Sequence, residues 1–141
     1  MILPRGTAIA LVDGEMFELY RNGGTATEPK LASMTVPALK ATNFSAGAKD
    51  KDNISRFTPG KGKDRIGKLE ESAHAAAVTD WLNQQALAGK FEKLVIAADP
   101  RSLGEMRRHY HKKLEEVLAT EIASRLAGST PEVILKALDA A

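Results

Sequence analysis

The sequence predicts a single α/β domain built on a mixed, five-stranded sheet, and three observations lead to that prediction. Three short β-compatible segments come first, a strand with a continuous apolar run follows a helix, and a proline begins the last helix. At 141 residues the chain has the usual size of one domain and can close one core without disulfides.

The N-terminal part predicts an antiparallel meander of three strands. These are Thr7–Val12, Glu15–Arg21 and Lys30–Val36. Asp13-Gly14 lies between the first two and predicts a type I′ hairpin turn, in which both central residues have positive φ. Asn22-Gly23-Gly24 forms the second predicted turn, and Pro37 ends the third strand.

A helix and a buried strand are predicted next. Leu69–Ala88 is rich in alanine and carries apolar residues at helical spacing, and Gly89 stands where a helix often ends in positive φ. The following strand, Phe91–Ala98, ends in the continuous apolar run Leu94–Ala98. Such a run is typical of a strand buried on both faces, as in a parallel pair.

The next segment predicts a helix, and the residues that follow this helix are compatible with two structures. Ser102 is predicted to cap this helix, with Glu105 completing a capping box. Its apolar stripe comprises Leu103, Met106, Tyr110, Leu114 and Val117. Leu118–Leu126 permits either a continuation of the helix or a separate strand near Ala119–Ser124, where Thr120 is β-branched.

The chain closes with the helix Pro131–Leu138, which Thr130 caps. With a strand at Ala119–Ser124, the element order becomes β-β-β-α-β-α-β-α. A three-stranded meander followed by two right-handed helix–strand crossovers is the ribonuclease-H-like topology.

Composition excludes several kinds of site. The chain has no cysteine, which excludes disulfides, thiolate metal sites and cysteine nucleophiles, and its three histidines are too scattered to predict a metal cluster. No cofactor is predicted. The apolar run Ala8–Val12 is too short for a signal peptide or a membrane span, so we expect a cytoplasmic protein that does not bind a membrane.

Positive charge is concentrated in one segment, the basic loop Ala46–Lys68. Its last 20 residues hold seven basic and three acidic side chains, whereas the whole chain has a net charge of only +2. Glycines and prolines interrupt every period from Ala38 to about Gly67, which predicts a flexible loop. It is either a solvated loop or a binding segment for RNA phosphates. The proposed nucleic-acid contacts are Arg56, Lys61, Lys63, Arg65 and Lys68.

A second candidate site lies where the strand Phe91–Ala98 ends. Ligands of open α/β sheets gather beyond the carboxyl ends of strands, and helix N-termini favour anions. Arg101 and Ser102 therefore predict an anion-binding site. In the alternative interpretation Asp99 accepts hydrogen bonds from the helix amides and Arg101 is an ordinary surface residue.

Catalytic chemistry has little support in the sequence. A ribonuclease-H-like sheet raises the possibility of a metal-dependent nuclease, which needs three or four convergent carboxylates. The candidates are Asp13, Glu70 or Glu71, Asp99 and Glu121, and they are scattered along the chain. No motif supports a Ser-His-Asp hydrolase. We therefore expect no catalytic residues.

The segment Gly89–Arg107 resembles the most recognisable block of the bacterial host attachment protein family, in which a strand ends in a proline-containing turn, an arginine and a Leu-Gly pair that opens a helix. The resemblance implies a strand at Ala119–Ser124. It also implies a fold similar to the middle domain of archaeal and eukaryotic peptide-chain release factors. Release factors use a Gly-Gly-Gln motif, which this sequence lacks: Gly23-Gly24 is followed by threonine.

The resulting hypothesis is a non-catalytic bacterial protein that docks on ribosomal RNA or tRNA through the basic loop. The first alternative is a protein–protein adaptor in host-cell attachment, with an apolar surface around Phe44, Phe57 or the last helix. The second alternative is the metal-dependent nuclease.

Overall fold

The computed structural model describes residues 3–37, 39 and 62–140, with the backbone alone for residues 62–68. In this part of the chain five strands and four helices follow one another as β-β-β-α-β-α-α-β-α. The strands are β1 (Ala8–Val12), β2 (Phe17–Asn22), β3 (Leu31–Met34), β4 (Leu94–Ala98) and β5 (Leu118–Ala123). The helices are α1 (Gly62–Leu87), α2 (Pro100–Arg107), α3 (Lys112–Val117) and α4 (Pro131–Asp139).

The strands form one mixed sheet in the order β3-β2-β1-β4-β5. β1–β2 and β2–β3 are antiparallel pairs, whereas β1–β4 and β4–β5 are parallel. Every residue of β1 and β4 is buried, which the apolar run Leu94–Ala98 predicted for β4. The predicted mixed, five-stranded sheet is therefore confirmed.

Each face of the sheet carries its own part of the core. On one face α1, α2 and α3 cover alternate residues of the central strands, and Trp81 of α1 packs edge-to-face on Phe17 of β2 with ring centroids 5.5 Å apart. On the other face Ile134 and Leu138 of α4 pack on the remaining strand residues. Strands as apolar as β1 and β4 are thus covered on both sides.

The first turn has a different geometry from the predicted type I′ turn. Among the described residues positive φ occurs at Gly6, Gly89 and Gly128, so Gly14 does not adopt it. Instead the Asp13 amide donates to the carbonyl of Met16, and Asp13 Oδ1 accepts from the amides of Glu15 and Met16. A side chain that replaces backbone partners in this way removes the need for a left-handed residue. Gly89, with φ of 74°, does end α1 as predicted.

The helix predicted to begin at Leu69 begins at Gly62 instead. Gly62 and Gly67 therefore lie within α1, and the expectation that no helix extends through this stretch was wrong for residues 62–68. A glycine costs about 1 kcal/mol in a helix, which the remaining residues of a 26-residue helix can offset. The rest of the predicted basic loop, residues 46–61, lies outside the described residues.

The helix predicted between β4 and β5 is two helices. Asp99, not Ser102, caps α2, and its carboxylate accepts from the Ser102 amide. The chain then turns at Arg108–His111, where the Asn83 side chain of α1 donates to the His109 carbonyl and accepts from the His111 amide. A side chain that satisfies these two backbone groups allows the helix to be interrupted here.

The ambiguous segment after this helix is a strand. β5 occupies Leu118–Ala123, directly after α3, and pairs with β4. The last helix agrees with prediction, because Thr130 caps α4 and accepts from the Val133 amide. Among the described residues no helix combines the length and the apolar character that crossing a membrane requires.

The contrast between two neighbouring residues of α4 tests the packing on this face. Ile134 is fully buried, whereas Val133 is 48% exposed. Replacing Ile134 with alanine should lower the free energy of unfolding by about 2–5 kcal/mol, because a cavity remains in a closed core. Val133→Ala should change it by less than about 0.5 kcal/mol. Urea unfolding followed by circular dichroism measures both, and equal losses would contradict this packing.

Candidate functional site

The parallel strands end at one edge of the sheet, and polar residues follow each of them. Val12 of β1 is paired with Ala98 of β4, which is paired with Ala123 of β5. Asp13 and Asp99 therefore come to the same edge as the residues that follow β5. This edge is where ligands usually bind in open α/β sheets.

A pocket of about 340 Å³ lies at this edge. It is lined by Asp13, Gly14, Glu15, Glu71, Asp99 and Arg125. The lining comes from the β1–β2 turn, α1, the β4–α2 junction and the segment after β5. We call it the strand-end pocket. Its lining holds four carboxylates and one guanidinium, so its charge is negative overall.

Asp13 is the most buried charged group of the strand-end pocket. Its side chain is 5% exposed, and Oδ2 lies 3.2 Å from Arg125 Nε. Burial alone would raise the pKa of Asp13, but the amides of Glu15 and Met16 together with Arg125 lower it below the usual value. The carboxylate is thus ionised and hydrogen-bonded through both oxygens, and it joins the turn to the segment after β5.

The Glu71 side chain approaches the turn so closely that a Cβ at position 14 would require it to move. A Cβ on Gly14 would lie 2.7 Å from Glu71 Cγ, well inside contact distance. The Glu71 carboxylate extends across the turn to Arg101 Nη1 of α2, at 3.1 Å. One helical turn later His74 is buried, with Nδ1 2.9 Å from the Asp13 carbonyl oxygen. Two residues of α1 therefore fix this helix on the strand end.

Both residues of the predicted anion-binding site have partners within the domain. The Ser102 amide donates to Asp99 Oδ2 at 3.1 Å, and the Ser102 side chain is buried. Arg101, whose side chain is about half exposed, pairs with Glu71. The geometry is that of the alternative interpretation for Asp99, which expected its carboxylate to accept from the helix amides.

Three of the four carboxylates considered for a nuclease lie in the strand-end pocket, namely Asp13, Glu71 and Asp99. Glu121 lies elsewhere: it accepts from the Tyr110 hydroxyl at 2.7 Å and from Arg107. Among the described residues no three acidic or histidine side chains have the geometry to hold a metal ion. Asp13 pairs with the guanidinium of Arg125, and Glu71 pairs with that of Arg101. In a metal-dependent nuclease these carboxylates would bind metal ions instead.

The predicted nucleic-acid contacts divide at Gly62, where the described part of the chain resumes. Arg56 and Lys61 lie outside the described residues. Lys63, Arg65 and Lys68 belong to the first two turns of α1, and Lys68 precedes Glu71 by three residues. The backbone of these three cations therefore continues α1 in the N-terminal direction from the pocket residue Glu71.

Most of the apolar surface predicted for an adaptor either lies outside the described residues or is buried in the core. Phe44 and Phe57 lie outside the described residues. The last helix turns Ile134 and Leu138 into the core, which leaves Val133 as its large exposed apolar side chain among the described residues.

No pattern in the sequence predicted a role for Arg125 or Glu15 in this pocket. Arg125 follows β5 by two residues, so the rule that ligands gather at strand ends could have found it only if β5 had been certain. Glu15 belongs to a turn whose predicted type was wrong, and no pattern in the sequence indicated it.

These features define a class of protein: an α/β domain with a mixed sheet 3-2-1-4-5 and a polar, carboxylate-lined pocket at its parallel strand ends. The sequence model of the bacterial archaeo-eukaryotic release factor family 12 matches residues 6–138, and the chain belongs to this family. The match supports the predicted relation to release factors but not the host attachment name. No curated protein matches the chain.

The Asp13 interactions predict a specific dependence of stability on pH. Because the folded pKa of Asp13 is lowered, its stabilisation is present above the ordinary aspartate pKa of about 4 and is lost as pH falls through the folded pKa. Asp13→Asn should therefore be less stable than the wild type at pH 7. The difference should shrink steadily as pH falls from about 5 to 2.

Urea unfolding across this pH range measures the effect. Glu15→Gln is the matched control, since Glu15 lines the same pocket but is exposed. A difference between wild type and Asp13→Asn that stays constant with pH would refute the role of the Asp13 carboxylate.

Proposed function

We propose that this protein is a non-catalytic, translation-associated RNA-binding protein of the bacterial cytoplasm, which docks on ribosomal RNA or tRNA. The observation that supports it most strongly is the match to a release factor family over residues 6–138. Release factors work on the ribosome, so a relative with a concentrated basic segment is suited to a neighbouring RNA surface. The sequence has no Gly-Gly-Gln, and peptidyl-tRNA hydrolysis by that motif is not part of the proposal.

The proposed contacts are the cations Arg56, Lys61, Lys63, Arg65 and Lys68. The N-terminal end of a helix has a positive partial charge, which adds to the charge of the three cations in the first turns of α1. Phosphates are attracted to such a surface regardless of base sequence. The interaction would therefore be a docking contact and would not read the bases.

The strand-end pocket itself is less suited to a polyanion. Its lining is negative overall, and carboxylates repel phosphates at close range. Arg101 and Ser102 have partners within the domain, so we place the RNA backbone on the basic segment and not on the α2 N-terminus.

Salt dependence of RNA binding tests this proposal. A nitrocellulose filter assay with a fluorescent single-stranded RNA, from about 20 to 300 mM KCl, should show affinity falling with salt. Replacing Lys63, Arg65 and Lys68 with alanine should weaken binding at every salt concentration. It should also reduce the slope of log K against log salt by about 2, at roughly 0.7 per lost phosphate contact.

The matched control replaces three cations elsewhere in the chain, the exposed residues Lys30, Lys90 and Lys93. They precede β3 and β4 and so lie at the opposite edge of the sheet. This control has the same net charge as the first triple variant. Equal loss of affinity in both triple variants, or no binding of the wild type at low salt, rejects the proposal.

A further inference from the structure

We propose that Glu71 and Arg101 form a positioning latch that sets the direction of the basic start of α1. The inference deepens the RNA-binding function proposed above and rests on it. Arg101, which the sequence assigns to direct anion binding, would then act on the RNA indirectly, through Glu71.

The position of Glu71 along α1 is the first observation. Nine residues of the helix, 62–70, precede it, which corresponds to about 13 Å of helix at 1.5 Å per residue. Lys63, Arg65 and Lys68 lie on this stretch, which we call the basic arm. Any change in helix direction near Glu71 is therefore amplified at the far end of the basic arm.

The contacts around Glu71 are the second observation. Gly14 lies beneath its side chain, and the Glu71 carboxylate pairs with Arg101 at 3.1 Å. Arg101 belongs to the first turn of α2, which Asp99 fixes by capping. The latch thus joins α1 to a helix that is itself anchored at the end of the buried strand β4.

The size of the effect follows from geometry. A tilt of about 10° at Glu71 would displace the backbone of Lys63 by roughly 2 Å, since the two residues are about 12 Å apart along the helix axis. Charge-assisted hydrogen bonds to phosphate need distances of about 2.7–2.9 Å. A displacement of that size is sufficient to lose well-formed phosphate contacts.

Simple electrostatics and the latch make opposite predictions for Glu71. Removing a negative charge three residues from Lys68 should strengthen the binding of a polyanion if only the local charge matters. If Glu71 directs the basic arm, removing its charge should weaken binding, because the pair with Arg101 is lost. Whether removing the Glu71 charge strengthens or weakens RNA binding therefore distinguishes the effect of local charge from that of the latch.

The first experiment compares Glu71→Gln with Glu15→Gln in the filter assay with the same RNA. Both remove one negative charge from the strand-end pocket, but only Glu71 has an ion pair to lose among the described contacts. Glu71→Gln should weaken binding about two- to fivefold, the limit that an exposed ion pair sets. Glu15→Gln should leave binding unchanged or slightly tighter. Unchanged or tighter binding by Glu71→Gln overturns the inference.

Two further variants separate position from charge. Gly14→Ala changes no charge but forces the Glu71 side chain away, so it should weaken binding as Glu71→Gln does. The double variant Glu71→Arg with Arg101→Glu has the net charge of the wild type and restores a pair. It should approach the wild type and bind RNA more tightly than Glu71→Arg alone, although that single variant carries more positive charge. Failure of the swap to recover affinity contradicts the latch.

Amide hydrogen exchange without RNA gives a readout that does not depend on the proposed function. Residues 62–70 should exchange faster in Glu71→Gln than in Glu15→Gln, because the start of α1 loses an anchor. If the wild type binds no RNA, the RNA-binding proposal fails while this comparison still decides the latch. Equal exchange rates in the two variants would exclude it.

Discussion

The parallel pairing of β1 with β4 is the constraint on which the rest of the structure depends. Both strands are buried over their whole length, so each needs an apolar side chain on both faces and a helical layer on each side. Their register then fixes the strand-end pocket: because Val12 lies beside Ala98, the next residue of each chain segment is an aspartate at the same edge. Shifting either strand by one residue would draw its aspartate into the apolar core or move it away from this edge.

The strand-end pocket shows how a carboxylate-rich edge is stabilised without a metal-binding geometry in the described residues. Asp13 is satisfied by two amides and Arg125, Asp99 caps a helix, and Glu71 is held by Arg101. A buried or half-buried carboxylate is costly unless it is paired. The pairs of Asp13 and Glu71 each join two parts of the chain, whereas Asp99 Oδ1 is buried without a hydrogen-bond partner among the described residues. In the function we propose, RNA binds the basic arm, and the Glu71–Arg101 pair of the pocket positions that arm.

Sequence reasoning predicted the apolar core and much of the sheet but not the details set by single side chains. The run Leu94–Ala98 and the caps at Thr130 and Gly89 are local signals, and each was correct. The turn type at Asp13 was wrong because a carboxylate replaced backbone partners. The break at Arg108–His111 was missed because its cause, Asn83, is more than 20 residues away in the chain. For the same reason Asp13 and Glu71 could be named, but their pairing with Arg125 and Arg101 could not.

The turn between β1 and β2 has a consequence for how the molecule comes apart. It receives His74 and Glu71 from α1 and Arg125 from the segment after β5, so it joins the antiparallel meander to the first crossover helix and to the chain that follows β5. The hairpin cannot open without disrupting contacts in each of the other parts. We therefore expect the meander and the crossovers to melt together as one cooperative unit, even though the meander is the most local part of the sheet.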